Sequence, residues 1–476
     1  MVRINFKQYG FSEDILQALE KLGYDTPTDV QEQVLPHALA GRDLTVQAQT
    51  GSGKTGAFAI PLCEKIVLEQ RNPQVLVLTP TRELAVQVQE DITNIGRYHR
   101  IRVAAIYGQQ PIYVQKSQLR QRVHIIVATP GRILDHLQRG NVSFEDIKYL
   151  VLDEADEMLN MGFIDQVEAI LKVLPPDRVT MLFSATMPDA IEKICSQYMQ
   201  SPMRIEVASL NPTTDRIEQY YYAVAEDGKF ALLNQIIEAQ RPDSCMVFCH
   251  TRDKVELLWQ RMKAQDYRCW GLHGGMEQKD RLATMQRFKN GEFPFLIATD
   301  VAARGIDIEE LGLVVNYDIP CEKEKYVHRI GRTGRIDNAG VAITFITAGE
   351  IKMLREIEDY VGYQIPEKAL PSREDLIQKQ ALGEVKRSTP QRNRRAELEA
   401  EIMKIRINTG KKKKMRPGDI LGALTNIEGI NADDIGIIDV QDNFAYIDIL
   451  ANKGSLVLDA LQTMPIKGKK VNVKEV

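Results

Sequence analysis

Long apolar runs are missing from this sequence. The longest are strand-sized, such as Tyr149-Leu150-Val151-Leu152, so no segment is predicted to span a membrane. The opening residues, Met1-Val2-Arg3-Ile4-Asn5-Phe6, hold no apolar stretch of the signal-peptide kind. Cysteine is scarce, six in 476 residues, which excludes a disulfide framework and matches cytosolic usage. Cys245, Cys249 and His250 stand close together, but a zinc site needs a second pair at ligand spacing and none is found. No structural zinc is expected, and these cysteines read as packing at the end of a strand. What is present is an ordinary composition, 44% apolar and 26% charged, able to build several cores. At about 150 residues per domain the length predicts roughly three of them. A cytoplasmic, monomeric, multidomain protein is expected.

Net charge is also small, at −4, but unevenly spread. Residues Lys386 to Arg416 carry +9, the following residues to Val476 carry −4, and the first 385 carry −9. A basic stretch on an acidic body implies either a polyanionic partner or a solvated, lysine-rich linker; charge alone leaves both open.

Short apolar runs recur between helix-length segments. The first series is Asp43 to Val46, Gln74 to Leu78, Ile125 to Ala128, Tyr149 to Leu152 and Thr180 to Phe183. The second is Met246 to Phe248, Phe295 to Ala298, Leu313 to Val315 and Ala342 to Phe345. Runs that are apolar throughout are strands buried on both faces, as in a parallel sheet covered by helices. The class is therefore α/β, with two parallel-sheet domains in tandem over residues 1–206 and 216–365, joined by a turn-rich connector at 207–215. Residues 366–400 are polar and read as a linker. The remaining 401–476 follow a βαββαβ order, which fits a small α+β module of the ferredoxin-like or RNA-recognition type.

Polar residues cluster after the first-series strands, where open α/β sheets bind ligands. Ala48-Gln49-Thr50-Gly51-Ser52-Gly53-Lys54-Thr55 follows a strand and opens a helix, as a phosphate-binding loop must. Glycines let N–H groups curl round phosphate, Lys54 brings positive charge, and Thr55 offers a hydroxyl to Mg²⁺. Asp153-Glu154-Ala155-Asp156 ends another strand. Asp153 can hold Mg²⁺ through water and Glu154 can polarise an attacking water. Together the two motifs imply hydrolysis of a nucleoside triphosphate, ATP with Mg²⁺. The second domain has no such loop but presents His328-Arg329-Ile330-Gly331-Arg332-Thr333-Gly334-Arg335. Its three arginines are spaced by three, and arginines supplied from another domain can neutralise charge on a transferring phosphoryl group, so a site completed by domain closure is expected.

These motifs resemble those of the DEAD-box RNA helicases of superfamily 2, in the family's order over about residues 6–346. The resemblance implies two RecA-like domains. It also implies that Gln31, in Gly23-Tyr24-Asp25-Thr26-Pro27-Thr28-Asp29-Val30-Gln31, hydrogen-bonds adenine while Tyr24 stacks on it. Pro80, Thr81 and Arg82, with Gly108 and with Thr129, Gly131 and Arg132, would hold the RNA backbone, as would Thr251, Arg252, Arg281 and Thr299 in the second domain. Ser184 and Thr186 would couple hydrolysis to strand separation, helped by Asp300; Asp307 would approach the ribose, and Arg332 and Arg335, with His328 of the same motif, would act in catalysis as the arginine fingers. The chain departs from the pattern at Gly108-Gln109, where many members have paired glycines, and at Cys249-His250.

The last segment is similar to the RNA-binding domain of the DbpA-like subgroup, through Arg416-Pro417-Gly418-Asp419-Ile420-Leu421-Gly422-Ala423-Leu424 and Ile466-Lys467-Gly468-Lys469-Lys470. That likeness implies a hairpin of 23S-type ribosomal RNA and the pre-ribosomal large subunit as partners. Lys411, Lys412, Lys413, Lys414, Arg416, Lys467, Lys469 and Lys470 are the expected contacts, with a solubilising lysine cluster as the alternative. Phe444 and Tyr446 read equally as base-stacking or core residues. The residues leave open two rivals to a helicase: an ATP-gated RNA clamp that hardly unwinds, and a DNA-directed translocase.

Overall fold

The computed structural model describes residues 5–49, 51–207, 217–303, 311–334, 340–370, 402–468 and 470–476. Most of the two expected connectors lies outside these residues, as do Thr50, Asp307, Arg335 and Lys469. The chain divides into two compact units: residues 1–48 and 52–207 group with 392–476, and residues 49–51 group with 208–391.

The first unit is built on a seven-stranded sheet. Its strands are β1 (Leu44–Gln47), β2 (Val75–Leu78), β3 (Val103–Ile106), β4 (Ile125–Ala128), β5 (Tyr149–Leu152), β6 (Val179–Ser184) and β7 (Met203–Glu206), in the order β3-β4-β2-β5-β6-β1-β7. Every pairing is parallel. Successive side chains point to opposite faces of a strand. Val75 and Val77 accordingly enter one apolar cluster with Val46, Phe58 and Phe183, while Leu76 and Leu78 enter another with Leu150, Leu152 and Ile170. Helices cover both faces, which is why the central strands show no polar alternation.

The second unit repeats the plan with β8 (Ile217–Ala223), β9 (Cys245–Cys249), β10 (Cys269–Leu272), β11 (Phe295–Thr299), β12 (Leu313–Asn316) and β13 (Gly340–Ile346). The order is β10-β11-β9-β12-β13-β8, again parallel. Cys245 and Cys249 pack in its core beside Val247 and Ile297. All six cysteines are free thiols, and only Cys321 is exposed.

Residues 402–476 form a small domain with its own core. β14 (Met403–Ile407), a helix Pro417–Leu424, β15 (Ile435–Val440), β16 (Ala445–Ile449), a helix Gly454–Thr463 and β17 (Val473–Glu475) give the order βαββαβ, with an antiparallel sheet β15-β16-β14-β17. Ile405, Ile407, Ile447 and Ile449 face Ile420, Leu424, Val457 and Leu461. The fold is thus two RecA-like parallel-sheet domains followed by a small sheet domain. No helix among the described residues is long and apolar enough to cross a membrane.

Candidate functional site

The glycine-rich turn leaves β1 and enters the helix Lys54–Lys65 through Gly53, whose φ of +89° only glycine adopts without strain. Gly51 also takes a positive φ. Lys54 is buried, and its Nζ donates to the Ala48 carbonyl at 3.2 Å, which folds the ammonium back over the turn. Gln49, Ser52 and Thr55 are half-buried around it.

A second segment locks onto this turn. Thr28 caps the helix Asp29–Leu39 in a capping box: its N–H donates to Gln31 Oε1 at 3.0 Å and its Oγ1 accepts from the Gln31 N–H. The same hydroxyl donates to the Ser52 carbonyl at 2.8 Å, and Gln31 Nε2 donates to the Gly53 carbonyl at 3.2 Å. A β-carbon on Gly56 would lie 2.5 Å from Gln31 Nε2 and 3.1 Å from the Tyr24 ring, so any side chain there displaces the Gln31 amide or the Tyr24 ring. Tyr24 is held edge-on by Phe6, ring centroids 6.1 Å apart. Gln31 and Tyr24 are therefore fixed beside the phosphate turn.

Asp153 follows β5 and is buried. Burial pushes its carboxyl well above the usual carboxylate range; Glu154 and Asp156 add to this, and Lys54 opposes it. Positive charge placed beside it would bring it back towards that range. Among the described residues no three His, Cys, Asp or Glu side chains gather into a metal cluster. Asp153 and the Thr55 hydroxyl fit a cation shared with phosphate oxygens, the usual habit of Mg²⁺, while Lys54 supplies charge to the phosphates themselves. Glu154 sits at φ +51°, in the left-handed region.

Asp156 turns the other way. Its Oδ2 accepts from the N–H groups of Ala185 (3.2 Å) and Thr186 (2.9 Å) and from Thr186 Oγ1 (3.0 Å). The Asp156 N–H donates to Ser184 Oγ at 3.2 Å, and Ser184 Oγ donates to the Thr186 carbonyl at 2.6 Å. Ser184 also pairs in register with Gln47, the last residue of β1. Ser184 and Thr186 are thus tied to the acidic motif and to the strand that leads into the phosphate turn.

The expected RNA-backbone residues of this domain open helices at the same sheet edge. Thr81 caps the helix Arg82–Ile95, accepting from the Leu84 N–H at 3.2 Å, and Pro80 is buried before it. Thr129 and Gly131 lie at the start of the helix Pro130–Gln138. A β-carbon on Gly108 would sit 3.3 Å from the Arg82 guanidinium, and Arg132 donates to the Gln110 carbonyl at 2.7 Å and to Gln115 Oε1 at 3.0 Å. Arg82, Gly108 and Arg132 thus meet around one loop. Gln109 adopts φ +63°, so the backbone keeps the conformation a glycine favours even though the second glycine is absent.

In the second unit Thr251 caps the helix Arg252–Lys263, accepting from the Lys254 N–H at 3.2 Å, with Arg252 exposed beside it. A charge network missed in the sequence pins this turn. Asp318, buried, takes Lys254 Nζ at 2.6 Å, the buried Lys229 Nζ at 3.3 Å and the His250 N–H at 3.0 Å. Burial alone would raise the Asp318 carboxyl, but these donors hold it low. His250 Nε2 bonds the Ile319 carbonyl and Cys249 is buried, so the two departures in this motif serve packing. The partners lie far apart in sequence and carry no motif, so only the fold reveals them.

Of the three spaced arginines, Arg329 is structural. It is buried and grips Asp300, with Nη2 2.7 Å from Oδ2, and also bonds Asn316 Oδ1 (3.1 Å) and the Asp318 carbonyl (2.7 Å). Asp300 and Thr299 stand at the end of β11. Arg332 is buried, His328 and Arg281 half-buried.

In the small domain the lysines form an exposed turn. Lys411 and Lys412 N–H groups donate to the carbonyls of Gln441 and Asp442 at 2.8 and 2.9 Å, a close approach that Gly410 permits. Lys467 donates to Asp419 Oδ2 at 2.9 Å and to the Lys414 carbonyl at 3.3 Å, bringing the two basic segments to one corner, with Arg416 and Lys470 exposed. Phe444 is exposed and lies under Arg406, 5.0 Å from guanidinium to ring centre.

Comparison with known proteins agrees with this geometry. Residues 28–194 match the DEAD/DEAH box helicase family, 228–337 the helicase conserved C-terminal domain and 404–475 the DbpA RNA binding domain. The chain is 51% identical to the ATP-dependent RNA helicase DbpA of Bacillus subtilis, over 99% of both chains. It is 46% identical to the DEAD-box ATP-dependent RNA helicase CshA of Geobacillus kaustophilus, over 74% of this chain and 76% of that one. Among solved structures it is similar to Saccharomyces cerevisiae Dbp5 bound to RNA and ADP BeF3, at 30% identity and a TM-score of 0.71, covering 80% of this chain and 100% of that one. The chain belongs to the DEAD/DEAH box helicase family: it is an ATP-dependent RNA helicase that carries a DbpA RNA-binding domain over residues 404–475.

Proposed function

We propose that this helicase remodels large-subunit ribosomal RNA during ribosome assembly, and that residues 402–476 address it to a ribosomal hairpin. The observation that carries the reading is a folded DbpA-type domain whose two lysine segments converge on one corner through the Lys467–Asp419 contact. Backbone contacts by Thr81, Arg82, Thr129 and Arg132 need no base sequence, so specificity falls to that corner. Tethering there raises the effective concentration of RNA at the helicase domains without new chemistry.

Within the ATP site Gln31 and Tyr24 read the base, Lys54 and the turn's N–H groups hold the phosphates, and Glu154 orients the attacking water. Arg332 adds charge during hydrolysis, with Arg335 and His328 as its neighbours in the motif and Asp307 at the ribose. When bound, Mg²⁺ near Asp153 and Thr55 would neutralise phosphate charge. The working form is a single chain in the cytoplasm.

The test is ATP turnover stimulated by ribosomal fragments against random RNA, with the full chain and with a chain ending near Pro366. The full chain should prefer the ribosomal fragment and the shortened one should turn over weakly with either RNA. An unchanged preference after removal of residues 367–476 overturns the address role.

A further inference from the structure

The opposite edge of the first sheet carries arginines that no helicase motif uses. Arg71 precedes β2, Arg100 and Arg102 precede β3, and Arg120 and Arg122 precede β4. These strands are neighbours and run parallel, so the five residues share the end of the sheet away from the phosphate turn and the acidic motif. They line a cleft of about 710 Å³ together with Lys411 and Arg416 of the small domain. Arg100 donates to the Ala432 carbonyl at 2.7 Å, Arg102 to that of Ile438, and Arg122 to that of Leu68 at 3.3 Å. These acceptors are all neutral. None of the five arginines has a salt-bridge partner among the described residues, and Asp439 is the one acidic residue lining the cleft.

Gathering five arginines against a single carboxylate, Asp439 beside Arg102, leaves an excess of like charge that focuses a positive potential into the cleft. The field is felt locally: the His124 imidazole, buried behind the arginines, is pushed down to about 4, first by burial and further by Arg102 and Arg122. Guanidinium groups match phosphate oxygens as paired donors and desolvate more easily than ammonium groups. Since Lys411 and Arg416 belong to the corner assigned to RNA above, the cleft extends that surface.

We propose that Arg71, Arg100, Arg102, Arg120 and Arg122 form a second RNA-phosphate site, at the sheet end opposite the ATP-binding turn, which grips structured RNA held by the small domain. The proposal rests on the RNA-addressing role given to that domain.

The experiment uses the full chain with Arg71→Ala, Arg120→Ala and Arg122→Ala combined; all three are exposed, and a thermal transition matching the parent's checks the fold. Binding of a structured ribosomal RNA fragment and of a short single strand is measured across a salt series. For the structured RNA the slope of log affinity against log salt should fall by about 0.9 for each phosphate that the variant no longer neutralises. Affinity should drop about tenfold or more, while ATP turnover stimulated by the short strand stays at the parent level. An unchanged slope and affinity for structured RNA overturns the cleft. So does equal loss of binding to polyglutamate, which would mark an acidic protein as the partner. Absence of RNA-stimulated turnover in the parent would instead overturn the helicase reading, a separate failure.

Discussion

Arg329 shows how a residue inside a motif can be held for structure. Its guanidinium satisfies Asp300, Asn316 and the Asp318 carbonyl in a site closed to water. Removing one partner of a buried pair leaves the other charge uncompensated, at a cost of about 3–5 kcal/mol. Arg329→Ala should therefore lower the stability of the second domain by that amount and reduce turnover mainly through loss of folded protein. Denaturant unfolding decides this: a variant as stable as the parent would place Arg329 among the chemical groups instead. Gly56 makes the converse case, since its role is space alone. With a methyl group 2.5 Å from Gln31 Nε2, Gly56→Ala must displace the Gln31 amide or the Tyr24 ring. Binding of ATP should weaken about fivefold to a hundredfold, by the roughly 1–3 kcal/mol that a missing buried hydrogen bond costs. Binding of inorganic triphosphate, which has no base, should hold; equal losses for both ligands would contradict an adenine role.

Which elements the sequence betrays follows from where they lie in the sheets. The nine apolar runs correspond to β1, β2, β4, β5, β6, β9, β11, β12 and β13, all interior strands, covered on both faces and flanked on both sides. Left unmarked were β3, β7, β8 and β10, which are the four sheet edges. An edge strand keeps part of its surface in water, so Met203–Glu206 shows an exposed pattern and Val103–Ile106 alternates, and neither reads as a continuous apolar run. In the small domain one sheet face is open, and there alternation itself marked the strands. The site divides in the same manner. Local motifs such as the phosphate turn carry their geometry within a few residues, whereas the Lys229–Asp318–Lys254 network joins two helices and a loop that are distant in sequence. Thr28 joins the two classes, being a helix cap that also grips the Ser52 carbonyl. Thr28→Ala should cost about 1 kcal/mol of stability through the missing cap, and also loosen ATP binding. Thr28→Ser should restore both in titration calorimetry. Recovery of stability without recovery of ATP affinity would separate the cap from the site.

Over the whole molecule, separate cores make a single unfolding transition unexpected. The two large sheets each carry their own pair of apolar clusters, and residues 402–476 carry another. Multi-domain chains of this kind unfold in steps, so each step can be given its own pH dependence. His124 supplies a marker for the first domain. Its Nδ1 accepts the Arg102 N–H at 3.0 Å, so the folded ring must stay neutral there, and burial lowers its proton affinity from the usual 6.5 to about 4. Between those values the unfolded chain binds a proton that the folded domain does not. The contribution to stability is therefore complete above about pH 6.5, declines as pH falls through the window and levels off below about 4, with a slope of at most about 1.4 kcal/mol per pH unit. Calorimetry from pH 7 to 4 should show the transition of the first domain moving down. His124→Asn, which keeps an acceptor for the Arg102 N–H but cannot titrate, should flatten that movement while leaving the pH dependence of the other transitions as in the parent. A variant whose first transition tracks the parent's at every pH would show that the burial of His124 does not set the acid sensitivity of this domain.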